Sequence, residues 1–193
     1  KMEYRGIGVD PGMLQAIRDE LVAETEAKRA AVIEHAGHDF NVNSTKQLRE
    51  VLFDELGLTP QKKTKTGYST DAQSLEKMRT EHPIVEGLLQ YREVEKLRST
   101  YGEGLLAEVG EGNRIRATFQ QTVARTGRLS SDQPNLHNIP VRSERGRVFR
   151  TAFVAPEGHK LLIADYDQIE LRCIAHLAED PGLIGAFEAG DDI

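Results

Sequence analysis

A chain of 193 residues with 38% hydrophobic and 29% charged residues has enough apolar material for a core and room for one ordinary domain or two small ones. No stretch approaches the roughly 18 uncharged apolar residues of a membrane helix, and the N-terminus lacks the basic-then-apolar order of a secretory signal. No membrane partner and a cytoplasmic site are therefore expected. A net charge of -6 taken alone argues against nucleic acid, and a single cysteine excludes an internal disulfide.

Asp10-Pro11 reads as N-cap and first helical residue of a long helix, with Leu14, Ile17 and Leu21 on one stripe and a stop at Ala36-Gly37. A second helix is expected from the Asn43-Ser44-Thr45 cap region through Leu48, Val51, Leu52 and Leu56 to Gly57. Residues 59–70 are rich in cations and turn formers without helical period, which predicts an exposed basic loop. A helix follows from about Asp71. After Pro83, Ile84, Leu88, Tyr91, Val94, Leu97, Tyr101 and Leu105 recur at spacings of three and four and predict a long helix. Gly102 and Gly104 weaken its end, each by roughly 1 kcal/mol relative to Ala.

Past Gly112 the period changes to two. Ile115, Ala117 and Phe119 alternate with Arg116, Thr118 and Gln120, as in a half-buried strand, and Lys160 to Asp165 reads as a short buried strand ending in a carboxylate. Helices are expected over about 168–179 and 181–188, and Cys173 is expected to be a buried, inert thiol. The composition shift near 110 predicts an all-helical domain over 1–112 and the opening of an α+β domain over 113–193.

The distribution of charge reverses the impression given by its sum. Between Arg114 and Arg150 stand eight arginines against two acids, Asp132 and Glu144, a local charge of +6 in a chain of -6. Such segregation suggests a face built for an anion, with a merely solvated basic surface as the alternative. Asp165-Tyr-Asp-Gln-Ile-Glu-Leu-Arg172, at the end of the expected strand, could place a carboxylate for a metal. Nucleotidyl transfer uses two Mg²⁺ ions about 3.5–4 Å apart, and hard oxygen ligands suit them. By spacing alone, a helix-capping acid is the better explanation of Asp165. None of the histidines has zinc-like spacing with a cysteine.

That segment and Thr126-Gly-Arg-Leu-Ser-Ser-Asp-Gln-Pro-Asn-Leu-His-Asn-Ile-Pro-Val-Arg142 together resemble family A DNA polymerases. Ser44-Thr-Lys-Gln-Leu48, Lys62-Lys-Thr64, Leu97-Arg-Ser-Thr-Tyr101 and His176-Leu177 fit in order, so the resemblance spans essentially the whole chain. It implies a helical thumb over 1–112, with its basic tip at about 59–70, and the N-terminal part of an antiparallel-sheet palm over 113–193. It also implies primer-template DNA and deoxynucleoside triphosphates as partners, two Mg²⁺ ions as cofactors and a place at the nucleoid.

Carried over by position, the resemblance makes Asp165 the catalytic carboxylate and, with the carbonyl of Tyr166, a metal ligand. Glu170 becomes a steric gate against a ribose 2′-hydroxyl, and Gln168 and Ile169 line the same nucleotide pocket. Asp167 stands where many relatives have Ser and receives no catalytic role. Arg128 falls at the primer terminus, where purine N3 and pyrimidine O2 offer a minor-groove acceptor at every correct pair. Asn135 and Asn138 fall near the template-primer backbone and minor groove, and His137 between them is also a DNA-binding position. Gln133 replaces the more common Asp, with ordinary loop polarity as its alternative, and His137 replaces Gln. Lys62, Lys63 and Lys65 would contact duplex phosphates. Arg92 and Lys96 would form a cationic edge, with a salt bridge to Glu93 or Glu95 as the alternative for this pair. Asn43, Ser44 and Thr45 could cap a helix or touch phosphate.

Family A catalysis also needs a second aspartate and a fingers helix, a C-terminal fingers and palm segment that these residues do not contain. The chain alone is therefore expected to be inactive in polymerisation. A non-catalytic duplex-binding module built from thumb and basic palm is the alternative function.

Overall fold

A short helix α1 (Met2–Arg5) and strand β1 (Ile7–Gly8) open the computed structural model, which describes residues 1–65, 67–139 and 144–191, without the side chains of Glu144 and Arg145. Helix α2 (Pro11–Ala36) then begins where Asp10 accepts a hydrogen bond from the Met13 amide at 3.0 Å. It ends on Gly37 at φ 81°, a left-handed position suited to glycine, whose amide bonds back to Ile33 and Glu34. Helix α3 (Thr45–Arg49) is capped by the Ser44 hydroxyl on the Gln47 amide and continues as a π-helical segment over Glu50–Glu55. The cap reading of Ser44 therefore holds. Asn43 instead accepts a hydrogen bond from the Tyr91 hydroxyl at 3.1 Å.

The stretch over 59–70, read as a loop, contains an antiparallel hairpin of β2 (Lys63–Thr64) and β3 (Gly67–Tyr68). Helix α4 (Ala72–Lys77) follows, capped by Asp71, and α5 (Pro83–Leu97) runs on through a π-helical segment over Arg98–Glu103 into α6 (Gly104–Ala107). Gly102 is buried against α2: a Cβ there would lie 3.5 Å from Arg18 Cγ and 3.6 Å from Leu21 Cδ1, ordinary contact distances.

Helices α2 and α5 lie antiparallel and share two hydrophobic cores. In the first, Val32 of α2 meets Ile84, Val85, Leu88 and Tyr91 of α5, together with Leu48, Val51 and Leu52 and with Leu75 and Met78. In the second, Leu14, Ile17 and Leu21 meet Val94, Leu97, Tyr101 and Leu105, closed below by Val9, Ile115, Ile139, Phe149 and Ala152.

Strands β4 (Val109–Gly110) and β5 (Arg114–Ile115) join β1 in an antiparallel sheet of order β1-β5-β4, and β6 (Thr118–Gln120) pairs with β7 (Ser130–Asp132) in a separate hairpin. The expected single strand over 115–119 is thus two. Ile115 pairs with β1 and β4 while Phe119 pairs with Ser131, so the chain changes sheet at Arg116-Ala117, although Ile115 and Ala117 keep the buried positions of the alternation. A 3-10 turn (Leu136–Asn138) and helix α7 (Glu144–Thr151) complete this unit, Lys1–Glu157.

The second unit, Gly158–Ile193, holds α8 (Ile169–Ala178) and α9 (Pro181–Ala189), close to the expected bounds. Two expectations fail in it. Residues 160–165 form no strand, and Leu162 and Ile163 are 93% and 87% exposed, because no described segment supplies the ladder that an apolar strand must join. Cys173 is exposed, since Ala175 is the sole fully buried residue of α8. The fold class is α+β, as expected: long helices with small antiparallel sheets.

Leu88 lies fully buried between the helices. Leu88→Ala is expected to lower unfolding stability by about 2–5 kcal/mol, whereas Leu162→Ala should change it by less than about 0.5 kcal/mol, both measured by denaturant titration.

Candidate nucleic-acid interface and metal-binding motif

Lys62, Lys63 and Lys65 are all exposed on the β2-β3 hairpin, Lys62 lying 3.9 Å from Asp71. The hairpin is tied down from three directions. Arg49 of α3 donates from Nε to the Tyr68 carbonyl at 2.7 Å, and the Phe53 and Tyr68 rings meet edge-on at 5.3 Å. Arg92 of α5 is half-buried, and its guanidinium donates to both the Thr70 carbonyl and the Thr70 hydroxyl. Burial holds its pKa below the ordinary arginine value, against the pull of Asp71. Lys96 is exposed on the same helix, and Glu95 pairs with Arg98 at 2.8 Å. Hydrogen bonds from Ser74 and Ser69 hold the Asp71 carboxyl at about 2.

A second group lies between β7 and α7. Ser131 is buried, and its hydroxyl accepts from the Leu136 amide at 3.2 Å and donates to the Pro134 carbonyl at 3.1 Å, which folds 131–136 into a tight loop. The Asn135 side-chain oxygen accepts from the His137 amide at 3.1 Å, leaving its NH₂ as the outward donor. The Tyr101 hydroxyl donates to the Asn138 carbonyl, tying the loop to the second core. His137 faces the Phe119 ring at 5.8 Å. Asn135, His137, Asn138 and Arg128 are brought to the surface by this one hairpin and loop.

The basic window is less uniform than its sequence suggests. Arg114 donates to the carbonyls of Arg5 and Gly6, and Arg116 to those of Tyr4 and Glu111. Arg150 reaches the Ile139 carbonyl at 3.5 Å. Two of the cations read as an anion-binding face thus hold the N-terminal segment. Arg125 and Arg147 are exposed, Arg142 lies outside the described residues, and the side chain of Arg145 is likewise outside the description.

In the second unit, Asp165 and Tyr166 are exposed ahead of α8, and no hydrogen bond or ion pair among the described residues engages the Asp165 carboxylate. Gln168 is the N-cap of α8, at φ 49°, and Ile169 and Glu170 are exposed in its first turn. Asp167 is held by Arg172, whose Nη2 lies 3.2 Å from its carboxylate and whose Nε donates to its carbonyl at 2.9 Å. The Arg172 guanidinium also lies over the Phe187 ring at 4.4 Å. No group of three or more His, Cys, Asp or Glu side chains converges on a metal position among the described residues. The oxygens of Asp165 and Tyr166 are nevertheless the hard donors that Mg²⁺ takes, and they fit part of such a site.

The profile of DNA polymerase family A matches residues 11–193. The chain belongs to this family. It is 51% identical over 194 residues to DNA polymerase I of Geobacillus stearothermophilus and 52% identical over 195 residues to the thermostable DNA polymerase I of Thermus filiformis. Both alignments take in all of this chain but only 22% and 23% of those proteins, so it spans under a quarter of their length. The polymerase domain of Pol1 from M. smegmatis, solved in complex with a DNA primer-template and dNTP, superposes with TM-score 0.89 at 47% identity, covering 98% of this chain and 34% of that one. No helix among the described residues is long and apolar enough to cross a membrane.

The low Asp71 pKa carries a sign. Its ordinary value is 3.8 and the folded value about 2, so the stabilisation of the α4 cap is present above about pH 4 and is lost as pH falls towards 2. In a pH titration followed by NMR, the Ser74 amide is expected to shift with a midpoint near 2, and Asp71→Asn to abolish that step.

Proposed function

We propose that residues 1–112 are the thumb and 113–193 the first part of the palm of a DNA-directed DNA polymerase acting in replication and repair. It adds deoxynucleotides to a primer 3′-hydroxyl and releases pyrophosphate. The observation that carries this reading is Asp165: in a family A chain it stands exposed and unengaged before α8, within Asp165-Tyr-Asp-Gln-Ile-Glu-Leu-Arg172.

Each residue has a physical part in it. Lys62, Lys63 and Lys65 neutralise duplex phosphates without reading sequence, and Lys96 extends that edge. Arg128 donates to the minor-groove acceptor that every correct pair presents, so it senses pairing geometry at the primer terminus. Asn135, His137 and Asn138 present short polar groups to the template-primer backbone from a loop fixed by Ser131 and Tyr101. Glu170, in the first turn of α8, lies under the incoming sugar and excludes a 2′-hydroxyl, with Gln168 and Ile169 lining the pocket. The Asp165 carboxylate and the Tyr166 carbonyl would hold Mg²⁺, which when bound acidifies the primer hydroxyl and stabilises charge on the leaving pyrophosphate. Asp167 stays out of this donor set because Arg172 holds it.

Transfer with two metal ions needs a further carboxylate facing Asp165, and among the described residues no group of three or more His, Cys, Asp or Glu side chains converges on a metal position. The 193-residue chain alone should therefore grip duplex without extending a primer.

Fluorescence anisotropy between 50 and 200 mM salt is expected to show duplex binding that weakens steeply, with log K falling by about 0.9 per phosphate neutralised for each unit of log salt. Salt-insensitive or absent binding overturns the duplex-gripping role. Asp165→Asn should leave this binding unchanged yet abolish Mg²⁺-dependent primer extension in a longer chain carrying the rest of the polymerase region. If the longer wild type binds duplex but extends nothing, the protein is a binding module and the polymerase reading is wrong.

A further inference from the structure

A hairpin of two-residue strands cannot hold its own shape, since even longer isolated hairpins are marginal in water. Something else must set the direction in which Lys62, Lys63 and Lys65 point. Two arginines do this, alongside the contact of the Phe53 ring with Tyr68. Arg92 reaches out of α5, half-buried, and places two guanidinium nitrogens on the carbonyl and hydroxyl of Thr70, which is itself buried. Arg49 reaches out of α3 and donates to the Tyr68 carbonyl at 2.7 Å. Gly67, at φ 126°, makes room for that side chain, because a Cβ there would lie 3.2 Å from Arg49 Nη1.

We propose that Arg92 and Arg49 are positioning residues that clamp the base and the returning strand of the hairpin to α5 and α3, and that Arg92 neutralises no phosphate itself. The inference rests on the reading of the hairpin lysines as phosphate contacts. Its logic is geometric. A fork of fixed donors satisfied by a carbonyl and a hydroxyl of one residue locks both position and orientation, whereas a lysine in its place offers a single mobile charge. Half-burial works in the same direction, since a guanidinium withdrawn from water keeps the internal bonds that compensate it. Charge alone would place Arg92 with Lys96 on the duplex edge; the hydrogen bonds turn it inward.

The test compares wild type with Arg92→Met, Arg92→Lys and Arg49→Met in two measurements on this chain. In hydrogen exchange without DNA, the Ser69 amide, bonded to the Lys62 carbonyl at 2.8 Å, should exchange at least about tenfold faster in all three variants, while amides of the α2-α5 seam keep their protection. In duplex binding, affinity should fall about 3- to 10-fold, as expected when a loop must be ordered on binding. The slope of log K against log salt should stay at the wild-type value in Arg92→Met, and Arg92→Lys should not restore affinity. A slope lower by about 0.9 in Arg92→Met, or recovery in Arg92→Lys, would make Arg92 a phosphate contact and overturn the inference. So would unchanged Ser69 exchange. A wild-type chain that binds no duplex would sink the functional reading and leave the exchange measurement to decide the clamp.

Discussion

Helices α2 and α5 each pass through both hydrophobic cores, so the seam between them sets the position of everything else in the first unit. Val32 and Leu88 share the core at one end and Leu21 and Leu97 the core at the other, where Gly102 also lies against Arg18 and Leu21. The tip hairpin hangs from one end of this seam through Arg49 and Arg92. The loop over 131–139 hangs from the other through Tyr101, which packs on Phe149 at 5.7 Å and bonds to the Asn138 carbonyl. Two surfaces distant in sequence are thereby fixed by one helical pair. Burial of a continuous apolar stripe is the largest favourable contribution available to such a chain, and short polar segments take their geometry from it.

The elements with strong local chemistry were legible in the sequence. Asp10-Pro11 and Gly37 bounded α2, Ser44 began α3, and the apolar positions from Ile84 to Leu105 traced a seam that the structure buries at every one of them. What the sequence concealed was any feature set by tertiary partners. The alternation from Ile115 to Phe119 gave the correct burial, but nothing local could show that the chain changes sheet at Arg116. The hairpin inside the basic tip lacks the apolar alternation by which strands are recognised, and its tertiary partners, Arg49, Arg92 and the Phe53 ring, lie outside it in sequence.

Charge was the least reliable guide. An arginine counts as +1 wherever it stands, yet its five donors suit a peptide carbonyl as well as a phosphate. Arg114 and Arg116 lie in the most basic window of the chain and hold the backbone at 4–6 and 111. Arg92 binds Thr70 in the same manner. Lysine behaves differently: with a compact, strongly hydrated head group it stays exposed at 62, 63, 65 and 96. In a basic segment of this kind the lysines are thus the better markers of a surface open to phosphate, and the arginines need their carbonyl partners excluded first.

The same distinction applies to the carboxylates before α8. Asp165 and Asp167 are two residues apart, and composition cannot say which is available to a cation. Arg172, one turn into the helix, takes the Asp167 carboxylate and carbonyl together and is itself braced by the Phe187 ring. Asp165 has no such partner. A metal ligand must keep its lone pairs uncommitted, whereas an acid already satisfied by a guanidinium would have to break charge-assisted hydrogen bonds to coordinate. Of the two, Asp165 is the one without a hydrogen bond or ion pair among the described residues. The added acid at 167 thus brings its counter-charge with it, from an arginine in the first turns of the same helix.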